Sequence, residues 1–214
     1  MPKISQEEAL ARRDQIIDAC AELYRAQGYH DITMAQIADG VAFGRANIYN
    51  YFQNKDEVFL ALLAREHELW AADLAAIGED VSHEPVAWDD GALAQALAES
   101  LEARVPMLKL LAASLPDMEQ NSRHERLVEL KLAYKGALAA LGSLLREAKP
   151  EWDAERTSRF IFSFMPFLHG LYPYAFHSEK QLAAMEEAGV SDPGLGIAGL
   201  AAPCALKLLQ EDDF

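Results

Sequence analysis

Apolar side chains recur at helical spacing near the start of the chain, with Ile16, Cys20 and Leu23 at i, i+4, i+7 and Ile17, Ala21 and Tyr24 in the adjacent row. A broad apolar face on a polar background predicts an amphipathic helix over 7–27. Gly28 follows where a left-handed residue ends a helix at least cost, with Tyr29 folding back on the last turn. Thr33-Met34-Ala35-Gln36 reads as a capping box opening a short helix that Gly40 ends, with Ile37 and Ala38 facing inward. A second short helix is predicted from Gly44 through Phe52. Asn54-Lys55-Asp56-Glu57 is another capping box, with two acids in the positive first turn, and it opens a long helix to about Ile77. Residues 78–91 are polar and rich in turn formers, which predicts the one long loop. Beyond them, Ala- and Leu-rich stretches punctuated at Pro106, Pro116 and Pro150 predict helices at about 91–104, 107–115, 120–148, 153–176 and 195–210, with a shorter one at 178–188. The acidic Glu211-Asp212-Asp213 end reads as solvated.

Composition sharpens this into an all-α fold. The 214 residues include 37 Ala and 29 Leu against 18 Val, Ile and Thr together, the reverse of what sheets draw on. Half the residues are hydrophobic and a quarter charged, enough apolar mass for a core and too much for disorder. No apolar run approaches the roughly 20 residues of a membrane helix, and the polar N-terminus does not resemble a signal peptide, so a cytoplasmic protein without a membrane partner is expected. The net charge of −15 argues against a general nucleic-acid coat but leaves room for a small local contact. Residues 1–60 carry only −3 of it. Cys20 and Cys204 have no partner spacing, so neither a disulfide framework nor a zinc cluster is indicated, and Cys20 among Ile16, Ile17 and Leu23 reads as a buried small hydrophobe.

Two short helices joined by a tight turn and packed under a first helix make a helix-turn-helix. At 100° per residue, Ile48 and Phe52 share the inward face of the second helix. Ala46 and Asn50 lie opposite, flanked by Asn47 and Tyr49, with Arg45 at the leading end. A small residue lets a helix sit deep in a groove, amides donate and accept at base edges, a guanidinium grips guanine or phosphate, and tyrosine hydroxyls suit phosphate oxygens. An ordinary exposed helix face explains the same residues until the longer spacing is considered.

Thr33-x-x-x-Ile37-Ala38, then Ile48-Tyr49-x-Tyr51-Phe52-x-x-Lys55-Asp56-Glu57-Val58-Phe59, resembles the N-terminal DNA-binding region of the TetR family of one-component bacterial regulators, over about residues 10–62. Ala42 and Gly44 depart from the family's usual Gly in the turn and Ser or Thr cap. Ala in a left-handed turn costs on the order of 1 kcal/mol, and Gly is an acceptable cap. The resemblance implies a three-helix DNA-binding head at 1–53 and a larger helical ligand-binding and dimerisation domain at 54–214. It implies base reading by Arg45, Ala46, Asn47 and Asn50, and phosphate contacts by Thr33, Tyr49, Tyr51 and Lys55, with Gln36 beside Thr33. Thr33 and Lys55 stand at helix starts, where free N–H groups favour an anion.

The resemblance further implies a homodimer through about 153–176 and 195–210, bound to an inverted-repeat operator in double-stranded DNA and most readily a repressor. Residues 160–176 hold seven aromatics in seventeen positions, apolar nearly all round and hence expected to be mostly buried. Some of these rings are candidates to line a small-molecule cavity, with Trp70, Met107, Leu111, Tyr134, Phe164, His169 and Tyr172 as lining residues. None carries a fixed charge, so a small hydrophobic effector is expected. Small residues at 194–202 suit close helix contact across a dimer axis, and Pro203 is expected to kink or interrupt its helix. An enzyme is not expected: the chain lacks His-Glu-x-x-His, a Gly-rich phosphate loop and Gly-x-Ser-x-Gly, and its six histidines fall at no metal-ligand spacing. No catalytic residue, metal or cofactor is assigned. A helix-turn-helix adaptor that binds protein rather than DNA is the alternative that the −15 charge keeps open.

Overall fold

Helices carry the whole architecture, and no strand occurs among the described residues, as the excess of Ala and Leu over β-branched residues predicts. The structure, a computed structural model, describes residues 5–84, 88–113 and 115–210, and the side chains of all of these except Arg45 and Ala46. The acidic end at 211–214 and the middle of the expected 78–91 loop lie outside the described residues.

Helix α1 (Gln6–Ala26) starts where the Ser5 hydroxyl accepts from the Glu8 N–H, and it buries Ile16, Ile17, Cys20 and Tyr24. Its end differs from expectation. Gly28 has φ −79°, not a left-handed value. The Lys109 ammonium instead donates to the carbonyls of Tyr24 and Gln27, at 2.6 and 2.8 Å, and closes the helix from outside the segment. A 3-10 turn (Tyr29–Asp31) leads to α2 (Met34–Asp39), whose capping box forms as predicted. The turn after α2 stays right-handed, with Gly40 at φ −82°, and no described non-glycine residue has positive φ, so the strain expected at Ala42 is not incurred. Gly40 serves packing: a Cβ there would lie 2.8 Å from the Ala19 Cβ of α1.

The second short helix is a 3-10 helix, Arg45–Asn50, rather than an α-helix. Helix α3 (Lys55–His83) runs six residues past the expected end and takes in the first part of the predicted loop. Gly78 is buried inside it against α7, where an added Cβ would stand 4.0 Å from Leu144 Cα in ordinary contact, so this glycine lies within a helix and not at a turn. Then come α4 (Asp90–Glu102), α5 (Val105–Leu111), α6 (Leu115–Gln120), α7 (His124–Ala148), α8 (Ala154–Ala175), α9 (Glu179–Ala188) and α10 (Ile197–Gln210). The helix expected at 120–148 starts at His124 as α7, after a break at 121–123 that follows the short α6. Pro106 and Pro116 sit in the first turns of α5 and α6, where proline's missing N–H costs nothing. Pro166, Pro173 and Pro203 lie inside helices without ending them. Gly189 closes α9 in the left-handed conformation, φ 69°.

Helices α3 and α7 form the spine of the body, with α5 and α8 on one flank and α4 and α10 packed together on another. Trp70 stands at its centre, fully buried, with its indole N–H donating to Ser100 Oγ at 3.0 Å. The core runs unbroken from Ile16 and Phe52 in the head through Phe59 and Leu62 to Phe160 and Phe164 in the body. Burial of each such large side chain is worth about 1.5–3 kcal/mol.

Candidate nucleic-acid interface and effector cavity

Ile48 and Phe52, both without exposed surface, anchor the recognition segment from inside. The guanidiniums of Arg13 and Arg126 lie 5.6 and 5.9 Å from the Phe52 ring centroid, and Phe43 packs on Tyr51 at 6.1 Å. With the inward row held, Asn47, Tyr49 and Asn50 face solvent, Tyr49 being 57% exposed. In a 3-10 helix residues three apart eclipse, so the exposed partner of Asn50 is Asn47. The side chains of Arg45 and Ala46 lie outside the described residues.

The expected phosphate contacts divide. Thr33 is exposed, and its hydroxyl accepts from the Gln36 N–H at 3.3 Å while donating to Gln36 Oε1 at 2.8 Å. Gln36 Oε1 also accepts from the Thr33 N–H, so Gln36 is committed to capping. Tyr51 is half-buried, and its carbonyl accepts from Arg123 at 3.2 Å. Lys55 donates to the carbonyls of Tyr29 and Ile32, at 2.8 and 3.0 Å, and stands 4.3 Å from the Tyr29 ring centroid, so its ammonium is already engaged within the fold.

Behind the interface lies a cluster that the sequence pattern does not reveal. Asn54 caps α3 by accepting from the Glu57 N–H at 3.0 Å, but Glu57 does not complete the expected box. Its carboxylate is fully buried and accepts from the Gln53 N–H at 2.8 Å and from Arg123 Nε and Nη2 at 2.6 and 2.7 Å. Burial raises the Glu57 pKa, yet the bonds from Arg123 and Gln53 together outweigh it and hold the group below its ordinary value. The neighbouring carboxylate of Asp56 accepts from the Tyr29 hydroxyl and from Asn121 Nδ2, the latter at 2.9 Å. Asn121 also accepts from Asn54 through its carbonyl, at 2.9 Å. The 121–123 break thus ties the body to the start of α3 and to the recognition segment.

Of the candidate lining residues, Leu111, Tyr134 and His169 meet at one cavity of about 190 Å³, joined by Leu63, His67, Leu115, Glu119, Leu130 and Lys131. Trp70, Met107 and Phe164 are fully buried core residues, and Tyr172 packs on Phe176 at 4.9 Å. None of these four reaches the cavity. His67 escaped sequence reasoning, although its place between Leu63 and Trp70 on the apolar face of α3 marks it as a polar group taken inside. Burial holds the Cys20 thiol protonated, its pKa pushed up to about 12. Among the described residues no helix is long and apolar enough to cross a membrane, and no three metal-ligating side chains cluster.

The seven aromatics of residues 160–176, six of them on α8, are expected to be mostly buried, and the single chain divides them. Phe160 and Phe164 are enclosed, whereas Phe162 is 68% and Tyr174 72% exposed.

Two family models match in succession: one described as "Bacterial regulatory proteins, tetR family" over residues 16–62, and one described as "Tetracyclin repressor-like, C-terminal domain" over residues 64–198. The chain is 28% identical over 171 residues to the HTH-type transcriptional regulator TtgR of Pseudomonas putida, covering 77% of this chain and 81% of that protein. It is 33% identical over 72 residues to an HTH-type transcriptional repressor of Mycobacterium tuberculosis, a match spanning 34% of this chain and only 38% of that protein. Among solved structures, a putative TetR-family regulator from Mesorhizobium loti superposes with a TM-score of 0.58 at 16% identity, covering 96% of this chain and 98% of that one. A fatty acid degradation regulator from Bacillus halodurans superposes with a TM-score of 0.57 at 21% identity, covering 98% of both. At these identities the superpositions speak for the fold.

Proposed function

The chain belongs to the TetR family of bacterial regulatory proteins, and from that premise we propose that it is a ligand-responsive transcriptional repressor. In this reading it binds an inverted-repeat operator as a homodimer and is released by a small hydrophobic effector. The observation that carries the reading is the recognition segment itself: Ile48 and Phe52 are fully buried while Asn47, Tyr49 and Asn50 stand exposed beside the exposed Thr33. Amides and hydroxyls held on an anchored element are what base edges and phosphates require. Residues 1–53 serve as the DNA head and 54–214 as the regulatory body. The name of the mycobacterial relative, a repressor, supports the sign of regulation.

The release mechanism is a two-state change in the spacing of the two heads. Ligand shifts that equilibrium only by its differential affinity for the two states. Two elements connect the cavity to the head. Helix α3 carries Leu63 and His67 at the cavity and Asp56 and Glu57 at the head. Helix α6 carries Leu115 and Glu119 at the cavity, and just past its end Asn121 and Arg123 grip Asp56, Glu57 and the Tyr51 carbonyl.

Fluorescence anisotropy on DNA flanking the protein's own coding sequence tests this. Affinity for an inverted repeat is expected to fall steeply and linearly on a log–log salt scale. Asn50→Ala should cost about 1–3 kcal/mol and relax preference at one or two base pairs. Salt-independent binding, or an Asn50→Ala protein that discriminates as the wild type does, would overturn the reading.

A further inference from the structure

The cavity between α3, α5, α6, α7 and α8 is walled by Leu63, Leu111, Leu115 and Leu130, and one polar side chain is buried against it. His67 is 2% exposed. Its Nδ1 lies 2.8 Å from the Leu63 carbonyl oxygen, which can only accept, so Nδ1 carries the hydrogen. Burial, with lesser contributions from His169 and Lys131, keeps the imidazolium below its ordinary pKa despite the opposing bond to Leu63, and the ring is neutral at pH 7. A neutral imidazole has one N–H, so Nε2 is an acceptor, and it has no hydrogen-bond partner among the described residues. The ring stands edge-on to Tyr134, 5.6 Å between centroids at 88°, and both residues line the cavity.

The rest of the cavity limits what can supply the missing donor. Glu119 and Lys131 pair at 2.6 Å, so their charges compensate each other at the rim. An ionised carboxylate has no hydrogen to give and would meet a lone pair. An ammonium would have to shed its water with no buried anion to receive it. A dry cavity near 150 Å³ lined by aliphatic and aromatic side chains holds benzene, so about 190 Å³ takes one six-membered ring and a small substituent. A phenol is neutral at pH 7, its pKa lying near 10 as for tyrosine, and is a donor on a rigid ring with little rotamer entropy to lose.

Resting on the effector reading above, we infer that this cavity is a binding site for a small neutral phenol whose hydroxyl donates to His67 Nε2 and whose ring lies among the four leucines.

Calorimetric titration of the full chain with phenol, toluene and benzoate tests this, with operator anisotropy measured in parallel. The wild type should bind phenol about tenfold or more tightly than toluene, and benzoate more weakly than either. His67→Phe, folded by circular dichroism, should erase the preference for phenol. In the wild type the ¹⁵N resonance of His67 Nε2 should move with phenol and stay with toluene, which decides the matter even if the variant fails to fold. Equal binding of toluene and phenol, tight binding of benzoate, an unmoved Nε2 resonance, or an undiminished preference in folded His67→Phe overturns the site. Phenol bound through His67 with operator affinity unchanged sustains the site and removes the effector reading. Operator binding without any phenol binding removes the site and leaves the DNA reading standing.

Discussion

The carboxylate of Glu57 sits in the first turn of a helix, where local chemistry offers it solvent and the helix dipole, yet it has no exposed surface. Two guanidinium nitrogens of Arg123 and the Gln53 N–H hold it there. The depressed folded pKa sets the sign of the pH dependence. The group contributes stability that is fully present above its ordinary value near 4.5 and is lost as pH falls through the lower folded value. Glu57→Gln should therefore flatten the acid limb of the stability curve measured by urea unfolding. Arg123→Ala leaves the buried carboxylate unpaired and should cost roughly 2–4 kcal/mol at pH 7. An Arg123→Ala protein as stable as the wild type would show that water replaces the guanidinium freely.

The head's two short helices are too brief to be stable alone, since isolated helices below about 12 residues are marginal in water. They persist because they are packed. Gly40, at the end of α2, packs closely on α1, and an added methyl would sit 2.8 Å from the Ala19 Cβ. Gly40→Ala should push α2 outward, cost about 1–3 kcal/mol as an overpacked contact, and weaken operator binding through the displaced Thr33. Ala19→Gly on the same chain should recover part of the loss, because it removes the colliding atom, whereas α2 propensity alone would leave the two changes additive. Thermal unfolding of the four-member cycle distinguishes these outcomes. The 3-10 winding of the recognition segment is a similar compromise: it keeps Ile48 and Phe52 inside while placing Asn47 and Asn50 on one outward ridge.

For the whole molecule, the rings of Phe162 and Tyr174 on α8 stand exposed, and α10 carries an open surface lined by Pro203 and Leu206. Large exposed apolar side chains on these two helices suit an interface, which supports the proposed dimer through α8 and α10. One recognition element offers too small a contact for tight specific binding, so two heads are needed. Phe162→Glu with Leu206→Glu should give a monomer by sedimentation with unchanged helical content and lost operator affinity. A wild-type monomer at micromolar concentration that still binds its operator tightly would contradict the arrangement.

Short-range order determined a large part of this protein from sequence alone. The excess of Ala and Leu set the helical class, Thr33 with Gln36 set the start of α2, and the spacing of Ile48 and Phe52 set which face of the recognition segment turns inward. Each depends on residues within a few positions of one another, so periodicity and capping chemistry record it. What only the tertiary structure decided is how polar groups and glycines are used once helices meet. Gly28 was free to be an ordinary residue because Lys109, distant in sequence, closes α1. Gly78 continued a helix and lies buried against α7. Lys55 and Glu57 turned inward to partners outside their own segment, and His67 was left facing a cavity assembled from five helices. Desolvation obliges a buried polar group to find a partner, but any element in the fold can supply one, and the spacing around the group carries no record of which.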